Sequence, residues 1–183
     1  MVNDHARKIA ELKGKIKSFP DFPKKGILFW DIFSAIADGA TCKLLQNLLV
    51  ETIRTKFEGV EAIVGLESRG FLFSFSLAAE LGVSSLPVRK RGKLPGEVVS
   101  HKYDLEYGSD VLEIQKNTIR PGLKCLIVDD LIATGGTIAA SIQLLKACHA
   151  DVIGCLAVIE LESLHGRKNI PDGIPVHSLI KYD

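Results

Sequence analysis

No apolar run in the 183-residue chain approaches the ~20 residues that a membrane-spanning helix needs, which argues against a helical membrane protein. The opening stretch, MVNDHARKIAEL, carries charges throughout and lacks the apolar centre of a signal peptide, so a cytoplasmic location is expected. Charge of one sign is not in excess. Lys and Arg number 23 against 22 Asp and Glu, a net +1, so no global field draws the chain to nucleic acid or a membrane, and any anion binding is local. The four cysteines, Cys42, Cys125, Cys148 and Cys155, form no CxxC and have no histidine cluster beside them. That argues against structural zinc or a disulfide framework and for buried, reduced thiols. The histidines are scattered, and His101, near a segment with chemical character, receives no role. Repeats, low-complexity tracts and linkers are missing too. The chain therefore reads as one domain over 1–183, long enough to bury about two-thirds of its unfolded surface. Its 25% charged and 46% hydrophobic residues are ordinary for a soluble globular protein.

What the chain does have is concentrated in 125–137, CLIVDDLIATGGT. Cys125 to Val128 reads as a buried strand ending in Asp129 and Asp130. Leu131, Ile132 and the small residues Ala133, Thr134, Gly135, Gly136 and Thr137 then lead into a helix-like stretch. The two glycines let the backbone turn sharply and bring its N–H groups close to a ligand. The helix that follows offers unpaired N–H groups and a positive dipole end, which favour phosphate. Thr134 and Thr137 add hydroxyl donors, and the carboxylate pair suits the two hydroxyls of a ribose. No Gly-Lys-Ser/Thr follows, so this is not a P-loop, and it is not the dinucleotide GxGxxG.

Elsewhere, residues 3–17 suit an amphipathic helix. In SFPDFPKKGILFWDI, Pro20, Pro23 and Gly26 predict irregular structure up to Gly26. The aromatics Phe22, Phe29 and Trp30 suit either packing onto the domain or a flat pocket for a heterocyclic base. A helix is expected over 41–58, a strand over 62–66 and a helix over 71–80. Between the last two lies Glu67-Ser68-Arg69-Gly70, a turn at a strand's carboxyl end, where open α/β sheets bind ligands. After a strand near 83–88, residues 89–110 place Arg89, Lys90, Arg91 and Lys93 among several glycines. This reads as a long lid loop. Strands are expected at 111–114, 152–159 and 176–180, a helix at 138–146, and a loop or short helix at 160–168. Alternating strands and helices imply an α/β fold with a mostly parallel central sheet flanked by helices.

The string of apolar strand, Asp-Asp, two apolar residues and Ala-Thr-Gly-Gly-Thr resembles the phosphoribosyl-pyrophosphate (PRPP) loop of type I phosphoribosyltransferases. FPDFPKKGILFWDI, GLESRGF, RKRGKLPG with YDLEYG, and IELESLHGR are similar to segments of the adenine phosphoribosyltransferases, and the resemblance runs from about Ser18 to Tyr182. It implies transfer of phosphoribosyl from PRPP to adenine, giving AMP and pyrophosphate, with Mg²⁺ held mainly through PRPP rather than by a protein metal site. It places Asp129, Asp130 and 133–137 at the ribose and 5′-phosphate, and Leu28, Phe29 and Trp30 at the base. It further places Ser68, Arg69, Arg89, Lys93 and Tyr107 at pyrophosphate, and Glu106 at the purine as acid/base. A homodimer is implied as well, with neither nucleic acid nor membrane as partner. One departure is Trp30, where the family usually has Arg. It motivates an alternative, a paralogue with altered or lost base specificity. A second alternative is a purine-sensing regulatory module, but the ~18 residues before the base segment are too short for a helix-turn-helix domain.

Overall fold

A computed structural model describes residues 2–104 and 109–183. Two compact units emerge, Met1–Thr52 and Ile53–Asp183.

In the first unit, α1 (Val2–Lys13) stops at Gly14, short of the expected residue 17. β1 (Lys17–Pro20) and β2 (Leu28–Asp31) then pair antiparallel, with Ser18 opposite Trp30 and Phe19 opposite Phe29. Irregular structure was expected over β1. Pro20 is tolerated because it closes an edge strand, where its missing N–H interrupts no ladder. Asp31 then caps α2 (Ile32–Ile36), accepting from the Phe33 and Ser34 amides at 3.0 and 3.1 Å. Ser34 Oγ in turn accepts from the Lys17 amide at 2.9 Å, tying α2 to β1. α3 (Gly39–Lys56) is held at its start by Asp38, which accepts from the Thr41 amide and hydroxyl. Leu45, Leu48 and Leu49 are buried and Leu44 is half-buried, and the division between the units falls in the last turns of this helix.

The second unit is built on a seven-stranded sheet, in the order β5-β6-β4-β3-β7-β8-β9. Its strands are β3 (Ala62–Leu66), β4 (Ser84–Lys90), β5 (Val98–Asp104), β6 (Ser109–Gln115), β7 (Lys124–Ile132), β8 (Asp151–Leu161) and β9 (Val176–Tyr182). Five of these run parallel, from β4 to β9, and the β5–β6 hairpin adds an antiparallel edge to β4. α4 (Phe71–Leu81) and α5 (Gly136–Ala147) connect strands over the sheet. The mostly parallel α/β sheet expected from the sequence is therefore present.

The stretch read as a lid loop differs. Arg89 and Lys90 finish β4, opposite Glu113 and Leu112, and 98–104 pairs with 109–115. A charged edge strand lacks the continuous apolar run by which a buried strand is recognised, so its sequence reads as loop. The thiols also differ in part: Cys125 and Cys155 are buried, but Cys42 is exposed and Cys148 half-buried.

Two features of this sheet position chemistry. Chain order reverses at β3, since β4 lies on one side and β7 on the other. Such a switch point opens a crevice at the strands' carboxyl ends. Leu126, Ile127 and Val128 of β7 are completely buried. Each contributes about 1.5–3 kcal/mol by burial, so a one-residue slip that would misplace Asp129 and Asp130 is strongly disfavoured.

Candidate functional site

At the switch point the turn Glu67-Ser68-Arg69-Gly70 leaves β3, all five residues of which are buried. A Cβ on Gly70 would lie 2.6 Å from the Leu66 nitrogen and 2.7 Å from the Val128 carbonyl oxygen, so only glycine lets this turn sit against both strands. Arg69 consequently faces the end of β7, with Nε 2.5 Å from Asp130 Oδ2. That carboxylate offsets the unfavourable placement of an arginine at the start of α4.

The two carboxylates at the end of β7 lie close together but have different partners. Asp130 is buried against Arg69, whereas Asp129 accepts from the Asp130 amide at 2.9 Å. Burial, and then the negative charge of Asp130, hold the Asp129 carboxyl well above the usual carboxylate range. Asp129 and Asp130 share a cavity of about 360 Å³ with Glu67, Ser68, Arg69, Leu131 and Thr137.

The loop 133–137 turns into α5 through Gly135, whose φ of 78° suits glycine. A Cβ there would overlap the Gly166 carbonyl oxygen. Gly136 differs, because a Cβ on it would have its nearest neighbour at 3.9 Å. The contact that forbids a side chain at Gly135 is thus internal to the protein, and open space for a ligand lies at Gly136. α5 starts without a side-chain cap, so its first-turn N–H groups have no intrahelical acceptor and suit an anion.

Arg89 lies on the Glu67 side of this turn. Its Nε and Nη2 donate to the Glu67 carboxylate at 3.2 and 3.3 Å, and Nη1 donates to the Lys93 carbonyl oxygen at 3.2 Å. The guanidinium also stands 5.8 Å from the centre of the Phe71 ring. The Lys93 side chain is exposed. Glu67, left without a role by the sequence reading, is the residue that anchors Arg89. A carboxylate at the carboxyl end of a central strand was the available signal. Glu106 and Tyr107 lie outside the described residues.

In the other unit, Leu28 is 46% exposed, while Phe29 and Trp30 are half-buried. Alternation along β2 sends the Phe29 and Trp30 side chains to opposite faces of the ribbon. Phe29 meets the Phe22 ring edge-on, with centroids 5.1 Å apart. The turn between the strands is closed by the Gly26 amide donating to Asp21 at 2.7 Å.

The phosphoribosyl transferase domain family matches residues 34–174 of the chain. An adenine phosphoribosyltransferase of Drosophila pseudoobscura pseudoobscura is 53% identical over 175 residues, covering 96% of both chains. This chain belongs to the adenine phosphoribosyltransferase family. The mouse member is 48% identical over 170 residues, 92% of this chain and 94% of its own. Among solved structures, the Saccharomyces cerevisiae adenine phosphoribosyltransferase, complexed with D-2,5-dideoxy-2,5-imino-altritol 1,6-bisphosphate and adenine, superposes with a TM-score of 0.90. It is 42% identical and covers 96% of this chain and 99% of that one. Membership of this transferase family weighs against both a regulatory module and a paralogue that has lost adenine. Among the described residues, no helix is long and apolar enough to cross a membrane.

Proposed function

We propose that this chain transfers the 5-phosphoribosyl group of PRPP to adenine, giving AMP and pyrophosphate. The observation that carries this reading is the switch-point cavity, where Ser68, Arg69, Asp129, Asp130 and Thr137 converge in a chain 53% identical to an adenine phosphoribosyltransferase. In the reaction, the bond from ribose C1 to a pyrophosphate oxygen breaks, a bond from C1 to a purine nitrogen forms, and the purine gives up one proton.

We assign the 5′-phosphate to Ala133, Thr134, Gly135, Gly136 and Thr137 at the uncapped start of α5. Asp129 and Asp130 take the ribose hydroxyls and stand near the positive charge that develops on the sugar. Ser68, Arg69, Arg89, Lys93 and Tyr107 take pyrophosphate, stabilising the negative charge that grows as it leaves. Leu28 reads the adenine edge through its backbone and Phe29 lines the ring. Trp30, on the opposite face of the ribbon, supports them. Glu106 is assigned the purine proton.

Among the described residues, no group of three or more His, Cys, Asp or Glu side chains is placed to hold a metal. Asp129 and Asp130 are hard oxygen donors, and a Mg²⁺ ion carried chiefly by PRPP oxygens and water fits beside them. Bound there, Mg²⁺ would neutralise charge on the leaving pyrophosphate.

A homodimer is supported by α4, which exposes 74% of Phe75 and 45% of Leu72, large apolar side chains that a second copy would cover. The whole chain then acts as one phosphoribosyltransferase domain. Cysteines without a disulfide suit the cytoplasm.

The test is AMP formation from adenine and PRPP with Mg²⁺, in the natural chain and in Glu106→Gln. Activity in the former and a kcat lower by about 10²–10⁴-fold in the latter are expected. No AMP from the folded natural chain contradicts the proposal, and a variant within about threefold of it removes Glu106 from the chemistry.

A further inference from the structure

Residues 159–167, IELESLHGR, resemble a family segment, and neither they nor Lys168 and Asn169 after them are assigned to a ligand above. In the structure they form a brace behind the 133–137 loop. Glu160, at the end of β8, is buried. It accepts both Nε and Nη2 of Arg167 at 2.6 Å and also the Ser178 hydroxyl of β9. Arg167 Nη1 further donates to the Val176 carbonyl oxygen at 2.8 Å. Five donors in a rigid fork make Arg167 a clamp that lysine cannot replace. The clamp fixes its neighbour Gly166, whose carbonyl oxygen stands where a Gly135 side chain would begin. A Cβ on Gly166 would in turn overlap the Ala133 carbonyl oxygen. Two residues beyond the clamp, Asn169 Nδ2 donates to the Thr134 carbonyl oxygen at 2.8 Å.

In a trans peptide the C=O and N–H point in opposite directions. Holding the Thr134 carbonyl toward Asn169 therefore turns the Gly135 N–H away from the brace. Packing the Ala133 carbonyl against Gly166 likewise turns the Thr134 N–H away. The carbonyl dipoles, which would repel a phosphate, are kept on the brace side.

We propose that Asn169, with Gly166 clamped by Arg167 and Glu160, is a positioning residue for the 5′-phosphate, orienting the peptide planes of 133–137 without touching the ligand. The proposal rests on the reading of 133–137 as the phosphate cradle. If loss of the Asn169 bond leaves the loop correctly set only about a tenth of the time, apparent affinity for a 5′-phosphate falls tenfold. Pyrophosphate, assigned to the Ser68-Arg69 turn, is indifferent to this loop.

The experiment is calorimetry of ribose 5-phosphate and pyrophosphate on Asn169→Ala, Asn169→Asp and Thr137→Val, with Tm measured for each. Asn169→Asp keeps the shape and loses the donor. Both Asn169 variants should bind ribose 5-phosphate about tenfold more weakly and pyrophosphate within about twofold of the natural chain. Their Tm should lie within about 2 °C of it, since Asn169 is exposed. Undiminished ribose 5-phosphate binding in both, with weakened binding in Thr137→Val, overturns the brace and leaves the cradle standing. Undiminished binding in all three overturns the cradle and the brace together. Equal loss of both ligands in the Asn169 variants makes Asn169 a general structural residue and also overturns the proposal.

Discussion

The switch-point turn and the β1–β2 ribbon are both assigned to ligands, yet they are built in opposite ways. Around the first, β3 is buried along its whole length, and Leu126, Ile127 and Val128 leave β7 no freedom of register. All four residues of β1 are exposed, as are about half the surfaces of Phe19, Phe22, Ile27 and Leu28. Anchoring a phosphate requires backbone N–H groups at fixed positions, which deep strands and close glycine contacts supply. Accommodating a flat base requires apolar surface left accessible, which a short ribbon supplies at little cost to the fold. Substitutions that fill a close internal contact in the first region should therefore disturb stability and binding together, and substitutions in the second should act on the base alone.

The largest effect is expected at Gly135. Valine there needs a φ of 78° and would overlap Gly166, so Gly135→Val should lose about 2–4 kcal/mol of stability and at least about 10²-fold in AMP affinity. Gly136→Ala, with open space around it, should keep its Tm and weaken AMP alone. Thermal melts beside calorimetry separate the two, and a Gly136→Ala protein that melts like Gly135→Val would break the contrast between an internal contact and a ligand contact.

Asp129 sharpens the comparison through pH. Its folded pKa is raised above the ordinary 3.8, so its contribution to stability is present below 3.8 and lost as pH rises through the folded value. Asp129→Asn removes that loss. The variant should melt at or above the natural chain near neutral pH, and the gap should close toward pH 4. Catalysis should fall by about tenfold in kcat/KM for PRPP, because a hydrogen bond assigned to the ribose is lost. A Tm gap that does not change with pH would show that Asp129 is not strained in the fold.

The smallest effect is expected at Trp30. With Phe29 assigned to the base, alternation turns Trp30 to the other face of the ribbon, so Trp30→Arg should change adenine kcat/KM by less than about tenfold. A larger gain would show that the indole obstructs the base.

Legibility in the sequence followed the same division. β7 and its loop could be read because an apolar run, two carboxylates and a small-residue turn are contiguous, and the structure holds them in that order. β1 and the β5–β6 hairpin could not. Pro20 masks an edge strand, and the polar run Ser100-His101-Lys102 masks a strand whose pairing is supplied by Ser109 to Gln115 across a hairpin. Long-range partners were equally hidden. Glu160 and Ser178 lie 18 residues apart, and Asn169 and Thr134 lie 35 apart. The Arg69–Asp130 pair joins two segments assigned to different parts of the ligand. The two glycines of TGGT look equivalent in sequence, and only the position of Gly166 distinguishes them.

The most direct measurement of the division between anchoring and base selection is a crossed kinetic comparison of Thr137→Val and Phe29→Ala, with adenine and PRPP each varied at saturation of the other. Thr137→Val should raise the PRPP KM by about 5–20-fold and leave the adenine KM within about twofold. Phe29→Ala should do the reverse, because truncating a ring that lines the base removes about 1–3 kcal/mol of contact. A Thr137→Val protein defective for adenine, or a Phe29→Ala protein defective for PRPP, would contradict the account.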